Sequence, residues 1–161
     1  METNLQDTPQ HLFTDEDIFQ YQEASLGQRF LNFLIDNLLM RFGLTYLTGT
    51  VVGYLLGTFF PEFTYELFNE PSSGDLIIIG LIIGYFNYIL YYTFCEKLFR
   101  GYTLGKLVTG TRAIRTDGNE LSFKDALLRS LSRIVPFEAF SAFGRSPWHD
   151  QWTNTMVIKS R

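Results

Sequence analysis

Between Phe30 and Phe60 the chain reads FLNFLIDNLLMRFGLTYLTGTVVGYLLGTFF, about 30 residues too apolar to face water. As a helix such a run is about 45 Å long, whereas a bilayer core needs only about 20 apolar residues over about 30 Å. Asp36 and Arg41 lie inside it and Arg29 stands at its entrance. An ionised side chain at mid-membrane costs at least about 2.5–3.5 kcal/mol on insertion scales, so such residues face a partner or a wet cavity. The reading that follows is an integral membrane protein whose buried charges have partners.

A second apolar run, Leu76 to Phe99, is long enough to span again, with Asn87 near its middle and Glu96 and Lys97 at its exit. The stretch between the runs, 61–75, carries Glu62, Glu66, Glu70 and Asp75 but no base, and its Pro, Gly and Ser punctuation reads as a loop. Residues 96–133 hold eight bases. The positive-inside rule counts Lys and Arg in short flanking loops. It predicts transmembrane segments at 29–58 and 76–99, loop 61–75 on the periplasmic or extracellular side, and both ends of the pair in the cytoplasm. At 161 residues the chain is one domain by length, and its 16 phenylalanines exceed what a soluble domain of that size needs. Residues 1–28 contain six acids and no Lys or Arg. We read 1–23 as an acidic, disordered cytoplasmic tail. It lacks the basic start of a cleavable signal peptide, so the first run is expected to act as an uncleaved insertion signal. The single cysteine, Cys95, excludes an internal disulfide and any multi-Cys metal site.

Gly49, Gly53 and Gly57 recur every fourth residue in the first run, and Gly80 and Gly84 do so in the second. Such stripes let another helix approach closely; packing within the chain and a seam between copies are both open readings. Residues 100–121 form a cytoplasmic segment in which LVTGTRAIR favours a strand and Thr116-Asp117-Gly118-Asn119 a turn. Ser122 and Asp125 fit a loosened capping box, which opens an amphipathic or re-entrant helix over 122–143, with a full crossing as the alternative. Arg129 and Arg133 fall one turn apart on it. Residues 155–160 alternate like a strand and are expected to pair with Thr109 to Arg115. The fold class is thus an all-α membrane protein: two transmembrane helices, a third interfacial or re-entrant helix, and a small cytoplasmic β element.

Arg29 and Asp36 are seven residues apart, hence on one helical face but about 10 Å apart along the axis, too far to pair. Asp150, Glu138 and Glu96 are candidate anions for Arg29, Arg129 and Arg133. Arg41 or a base from the amphipathic helix is the expected partner of Asp36. If these groups converge they act as a structural clamp, an ion or proton pathway through Asp36, or a contact for a lipid head group or other ligand. Trp148-His149-Asp150 suggests an interfacial anchor followed by an oriented imidazole, with no metal-ligand spacing around it. Lys106 lacks the glycine-rich loop of a phosphate-binding motif and reads as a membrane-surface or carbonyl-capping base. With no nucleophile–base constellation, an enzyme is not expected. Neither a cofactor nor a metal is called for, and the basic stretch reads as topology rather than nucleic-acid binding.

Taken in order, these pieces resemble the RDD family of prokaryotic membrane proteins. The residues that carry the resemblance are Arg29 and Asp36 in RFLNFLID, Asp150 in WHDQWTNT, and the intervening GYTLGKLVTGTRAIRTDGNELSFKDALLRSLSR. It covers roughly 24–159, within an RDD-like membrane domain of 24–161; the third hydrophobic segment, IVPFEAFSAFG, is shorter than in many members. The resemblance implies a multi-pass protein of the bacterial plasma (inner) membrane and a role in transport. Two or three spans enclose little, so transport of an ion or small solute requires a homo-oligomer. The alternative is a non-transporting accessory or assembly subunit bound to another membrane protein.

Overall fold

The computed structural model describes residues 21–69, 74–141 and 147–160. The acidic tail therefore falls mostly outside the described residues, as do Glu70 and the end of IVPFEAFSAFG. Helix α1, Leu26–Phe59, is a 34-residue rod. Ser25 caps it by a reciprocal box, its hydroxyl accepting from the Gln28 amide at 3.2 Å while Gln28 Oε1 accepts from the Ser25 amide at 3.0 Å. A π-helical turn, Met40–Leu44, interrupts the rod just beyond Asp36. Pro61–Asn69 is a second helix, α2, where the sequence suggested a loop. The reason is positional: proline is tolerated in a first helical turn, whose N–H groups have no partner anyway. Helix α3, Asp75–Leu98, follows.

Among the described residues α1 and α3 are the two helices long and apolar enough to cross a membrane, and none of the apolar window of α1 is buried inside the chain. Phe42, Tyr46, Tyr54, Ile77 and Ile82 all stand exposed. A contiguous apolar face of that extent demands a non-aqueous cover. The two rods are coupled by a hydrogen bond in mid-span, Asn87 donating to the Thr48 hydroxyl at 2.7 Å. The glycines do not couple them. A Cβ added at Gly49, Gly53, Gly57, Gly80 or Gly84 meets nothing within 4 Å, so the stripes do not pack the chain's own helices together.

Beyond α3 the polypeptide folds into a lobe at one end of the pair. Helix α4, Leu104–Thr109, takes in residues that the β-favouring composition assigned to a strand. Thr103 caps its start, its hydroxyl accepting from the Lys106 amide at 3.3 Å, and Gly110 (φ +67°) ends it in the left-handed conformation. These two signals override the preference of Leu107-Val108-Thr109. Strand β1, Thr111–Arg115, pairs antiparallel with β2, Thr155–Lys159, in the register Ala113↔Val157. The start of the chain's described part joins them: Glu23 bridges Ile158, the Lys159 amide donates to the Gln22 carbonyl at 2.8 Å and the Ala24 amide to that of Val157 at 2.9 Å. Residues 22–24 are thus held on the sheet rather than belonging to the tail. Ala24, Ala113, Leu121 and Val157 form the small core.

Helix α5, Phe123–Ser132, opens on the expected Ser122/Asp125 capping box. Ten residues give it about 15 Å, half a bilayer core. It lies along the end of α3, where Thr93 donates to Ser130 at 3.0 Å and the rings of Phe94 and Phe123 meet edge to face. Single-turn helices α6, Glu138–Ser141, and α7, Trp148–Trp152, complete the lobe.

Two glycines are required by close approach. A Cβ on Gly101 (φ +92°) would lie 1.9 Å from the Ala113 carbonyl oxygen, and one on Gly105 would lie 2.4 Å from that of Asn32. Both obstacles are backbone and cannot swing aside. Gly105→Ala therefore drives α4 off α1, with an expected loss of about 1–3 kcal/mol or more, read as a lower thermal midpoint of the purified protein in detergent. An unchanged midpoint would show that α4 does not rest on α1.

Candidate functional site

Glu96, one turn from the end of α3, is wholly buried. Its Oε1 lies 2.7 Å from Lys106 Nζ and 3.0 Å from Arg133 Nη2, and its Oε2 lies 2.9 Å from Arg129 Nε. α4 delivers the lysine and α5 with its C-cap the two arginines, which share a helical face as their spacing predicts. Arg129 is also fully buried; its Nη1 reaches Asp150 Oδ1 at 2.6 Å and also meets the Thr155 hydroxyl. Asp150 Oδ2 in turn lies 2.6 Å from Arg29 Nη1, and Arg29 Nε donates to the Ala24 carbonyl at 3.3 Å. One continuous chain of charges, Lys106–Glu96–Arg129–Asp150–Arg29, thereby ties α4, α3, α5, α7 and α1 together. Arg133 joins at Glu96 and lies 4.2 Å above the Tyr92 ring.

Most of the expected ion pairs are found. Arg29, Arg129 and Arg133 meet Asp150 and Glu96. Glu138 does not join them; it accepts from His149 Nδ1, which fixes that imidazole. Lys106 is not a surface base. It is buried on Glu96, although it does also reach the Gly101 carbonyl at 3.4 Å.

Asp36 is 1 % exposed and meets no cation among the described residues. The expectation that Arg41 answers it fails, because Arg41 sits in the π-turn with an exposed side chain. Three uncharged donors do so instead: Tyr91 Oη at 2.7 Å, Thr103 Oγ1 at 2.7 Å and the Gly105 amide at 2.8 Å. The segment Thr103-Leu104-Gly105-Lys106 is explained position by position. Thr103 caps α4 while donating to Asp36, Gly105 lets the backbones touch and offers its N–H, and Lys106 faces Glu96. Asn32, one turn before Asp36, was not singled out by sequence. It is buried between α4 and β1, bonded to Thr109 and Thr111, and its amide is best satisfied with the nitrogen toward the Gly105 and Gln28 carbonyls. A lone Asn in an apolar helix, like Asn87, was the available signal.

Beside these residues lies a cavity of about 390 Å³. Arg29, Asp36, Lys106, Arg133, Glu138 and His149 supply its polar wall, and Leu26, Phe30, Phe33, Tyr88 and Val157 its apolar one. Burial pulls the Lys106 ammonium down to about 8 against the attraction of Glu96. Burial and the nearby Arg133 likewise lower His149, leaving it neutral near pH 7. Burial alone would raise Asp150, yet the guanidiniums of Arg129 and Arg29 hold its carboxyl well below the usual carboxylate range. Among the described residues no cluster of three or more His, Cys, Asp or Glu could hold a metal ion.

Two measurements follow. Glu96→Gln leaves three buried cations without their anion and should cost about 3–5 kcal/mol, seen as a much lower thermal midpoint in detergent; a loss under 1 kcal/mol would refute the hub role. Asp150 is a depressed carboxylate, so its contribution is fully present above the unfolded value of 3.8 and disappears as pH falls below it. The midpoint of the wild type should decline below about pH 4, while Asp150→Asn starts lower and shows a shallower acid limb.

A family model described as the RDD family matches residues 23–154. No curated protein and no solved structure matches the chain. The matched stretch takes in α1, α3 and the entire charge chain from Arg29 to Asp150, and the protein belongs to the RDD family.

Proposed function

We propose that the protein is a multi-pass protein of the bacterial inner membrane that takes an ion or small solute into the cavity beside Asp36 and passes it across the bilayer as a homo-oligomer. The observation that carries this reading is the cavity itself: ionisable groups from α1, α4 and the α5–α6 connection line one wall of a hollow whose other wall is apolar. Polar groups at membrane depth are costly and gather where a path or ligand needs them. The eight bases of 96–133 set the lobe and the N-terminus in the cytoplasm, with α2 on the far side. In that arrangement α5 lies at the inner interface as an amphipathic helix, its basic face inward on Glu96. The role is binding and transfer rather than a chemical reaction.

The bare glycine stripes favour a second reading. Faces that meet nothing in one chain suit a neighbouring helix, either another copy, as transport by two spans requires, or a different membrane protein that this chain would serve as an accessory subunit.

Flux separates the two. Proteoliposomes holding the wild type should release a trapped ion or small solute faster than empty vesicles, and Asp36→Asn should abolish at least nine-tenths of the excess while leaving the fold intact. Wild-type flux equal to that of empty vesicles, together with a partner protein recovered in mild detergent, would reject transport and favour the accessory reading.

A further inference from the structure

The formal charges around the cavity cancel, but their hydrogen-bonding capacities do not. Arg29, Lys106, Arg129 and Arg133 stand against Asp36, Glu96, Glu138 and Asp150 with His149 neutral. Every one of these carboxylates is occupied: Asp36 by three donors, Glu96 by three cations, Asp150 by two arginines and Glu138 by His149. The surplus lies on the donor side. Arg129 Nη2 and Arg133 Nη1 are buried and hydrogen-bond to nothing among the described residues. A buried guanidinium N–H without an acceptor costs about 1–3 kcal/mol or more.

Of the two arginines, Arg133 is the one that borders the hollows, with Nη1 itself held just beneath their surface. Arg133, its side chain 9 % exposed, lines both the main cavity and an adjoining hollow of about 250 Å³. Tyr88, Phe33 and Glu138 also border both. Around this basic point the walls are aromatic and aliphatic, and Phe30, Phe33, Tyr85 and Phe137 are exposed on the outside of the molecule. A small hydrophilic anion would leave those walls uncovered, whereas a cation would meet Arg133 where the two hollows join and would find Glu138, the carboxylate bordering both, already engaged by His149.

We propose that the joined cavities bind an amphipathic anion, a phosphate or carboxylate head group carrying an apolar chain, with the head on the spare N–H of Arg133, presented by a small rotation of the guanidinium, and the chain between Phe30, Phe33 and Tyr85. An arginine with a spare N–H suits such a head, since its hydrogen bonds to ionised oxygens are about twice as strong as neutral ones. The proposal deepens the solute-binding reading, on which it rests for its site, but not for any flux. A membrane phospholipid and a free amphiphile share this chemistry and are separable by experiment.

The test is equilibrium binding by the full chain in a neutral maltoside detergent, followed by native mass spectrometry and thermal shift, with decyl phosphate, inorganic phosphate and decanol as probes. Decyl phosphate should occupy one site per chain and bind at least tenfold more tightly than either of the others. Arg133→Lys keeps a cation on Glu96 but loses the spare N–H, and Leu26→Trp fills the cavity without touching an ion pair. Each should weaken binding tenfold or more, while exposed Lys124→Gln leaves it unchanged. If Arg133→Lys fails to fold, Leu26→Trp decides alone. Nanodiscs name the source: phosphatidylglycerol retained over phosphatidylcholine supports a lipid, and no preference alongside tight decyl phosphate supports a free amphiphile. Equal binding of decanol, equal binding of inorganic phosphate, or cavity variants indistinguishable from wild type would overturn the inference. Absent flux with intact binding would count against transport alone.

Discussion

A single carboxylate without water organises this protein. Glu96 cannot be ionised in an apolar surrounding unless other charges replace its lost hydration, and that hydration is worth several kcal/mol even after relaxation. Lys106, Arg129 and Arg133 replace it at 2.7–3.0 Å. The requirement runs both ways. Three cations buried around one anion repel one another, so a second carboxylate, Asp150, takes one hydrogen-bonding arm of Arg129 and extends the array to Arg29 on the other long helix. The β1–β2 pair is too small to be stable alone; it persists because Thr155 and the strand-flanking residues sit on this ionic frame.

Asp36 obeys a different logic, although it shares the cavity. It is neutralised by dipoles rather than charges: two hydroxyls and a main-chain N–H in the first turn of α4. All three hydrogen bonds are donated to the carboxylate, and they fix its position at the cavity wall. The ionic array on Glu96 is over-determined by comparison, since removing any one member leaves several others mismatched. Two carboxylates, one on each long helix, are thus held by different means: Asp36 by uncharged donors and Glu96 by cations.

Much of this was legible in the sequence because its signals are local or chemical. Apolar length gave the two rods, the Ser122 box gave a helix start, and the cost of burying charge implied that Arg29, Arg129 and Arg133 would find anions among Asp150, Glu138 and Glu96. The errors came where a residue's partner is distant or where two local signals compete. Arg41 was assigned to Asp36 because charge seeks charge, but nothing in a linear sequence reveals that α4 would fold back and aim the Gly105 N–H at that carboxylate. Leu107-Val108-Thr109 looked like strand because β-propensity is weak against a Thr cap and a left-handed glycine. Lys106 looked like a surface base because its acceptor, ten residues earlier, meets it only after the Arg100–Gly101 turn reverses the chain.

How the two rods are held has a consequence for what they can do. Their mid-span side-chain hydrogen bond, Asn87–Thr48, is worth about 0.6 kcal/mol in a membrane setting, and a Cβ added at the striped glycines would meet nothing within 4 Å. The clamp is at one end, in the charged lobe. Two rods fixed at one end and loosely joined along their length leave a gap between them near the clamp, and the cavity occupies that position. A tightly packed helix pair would have closed it. The energy that secures the fold is therefore spent where the site is, so that the same buried charges set the geometry of the lobe and the chemistry of the hollow beside it.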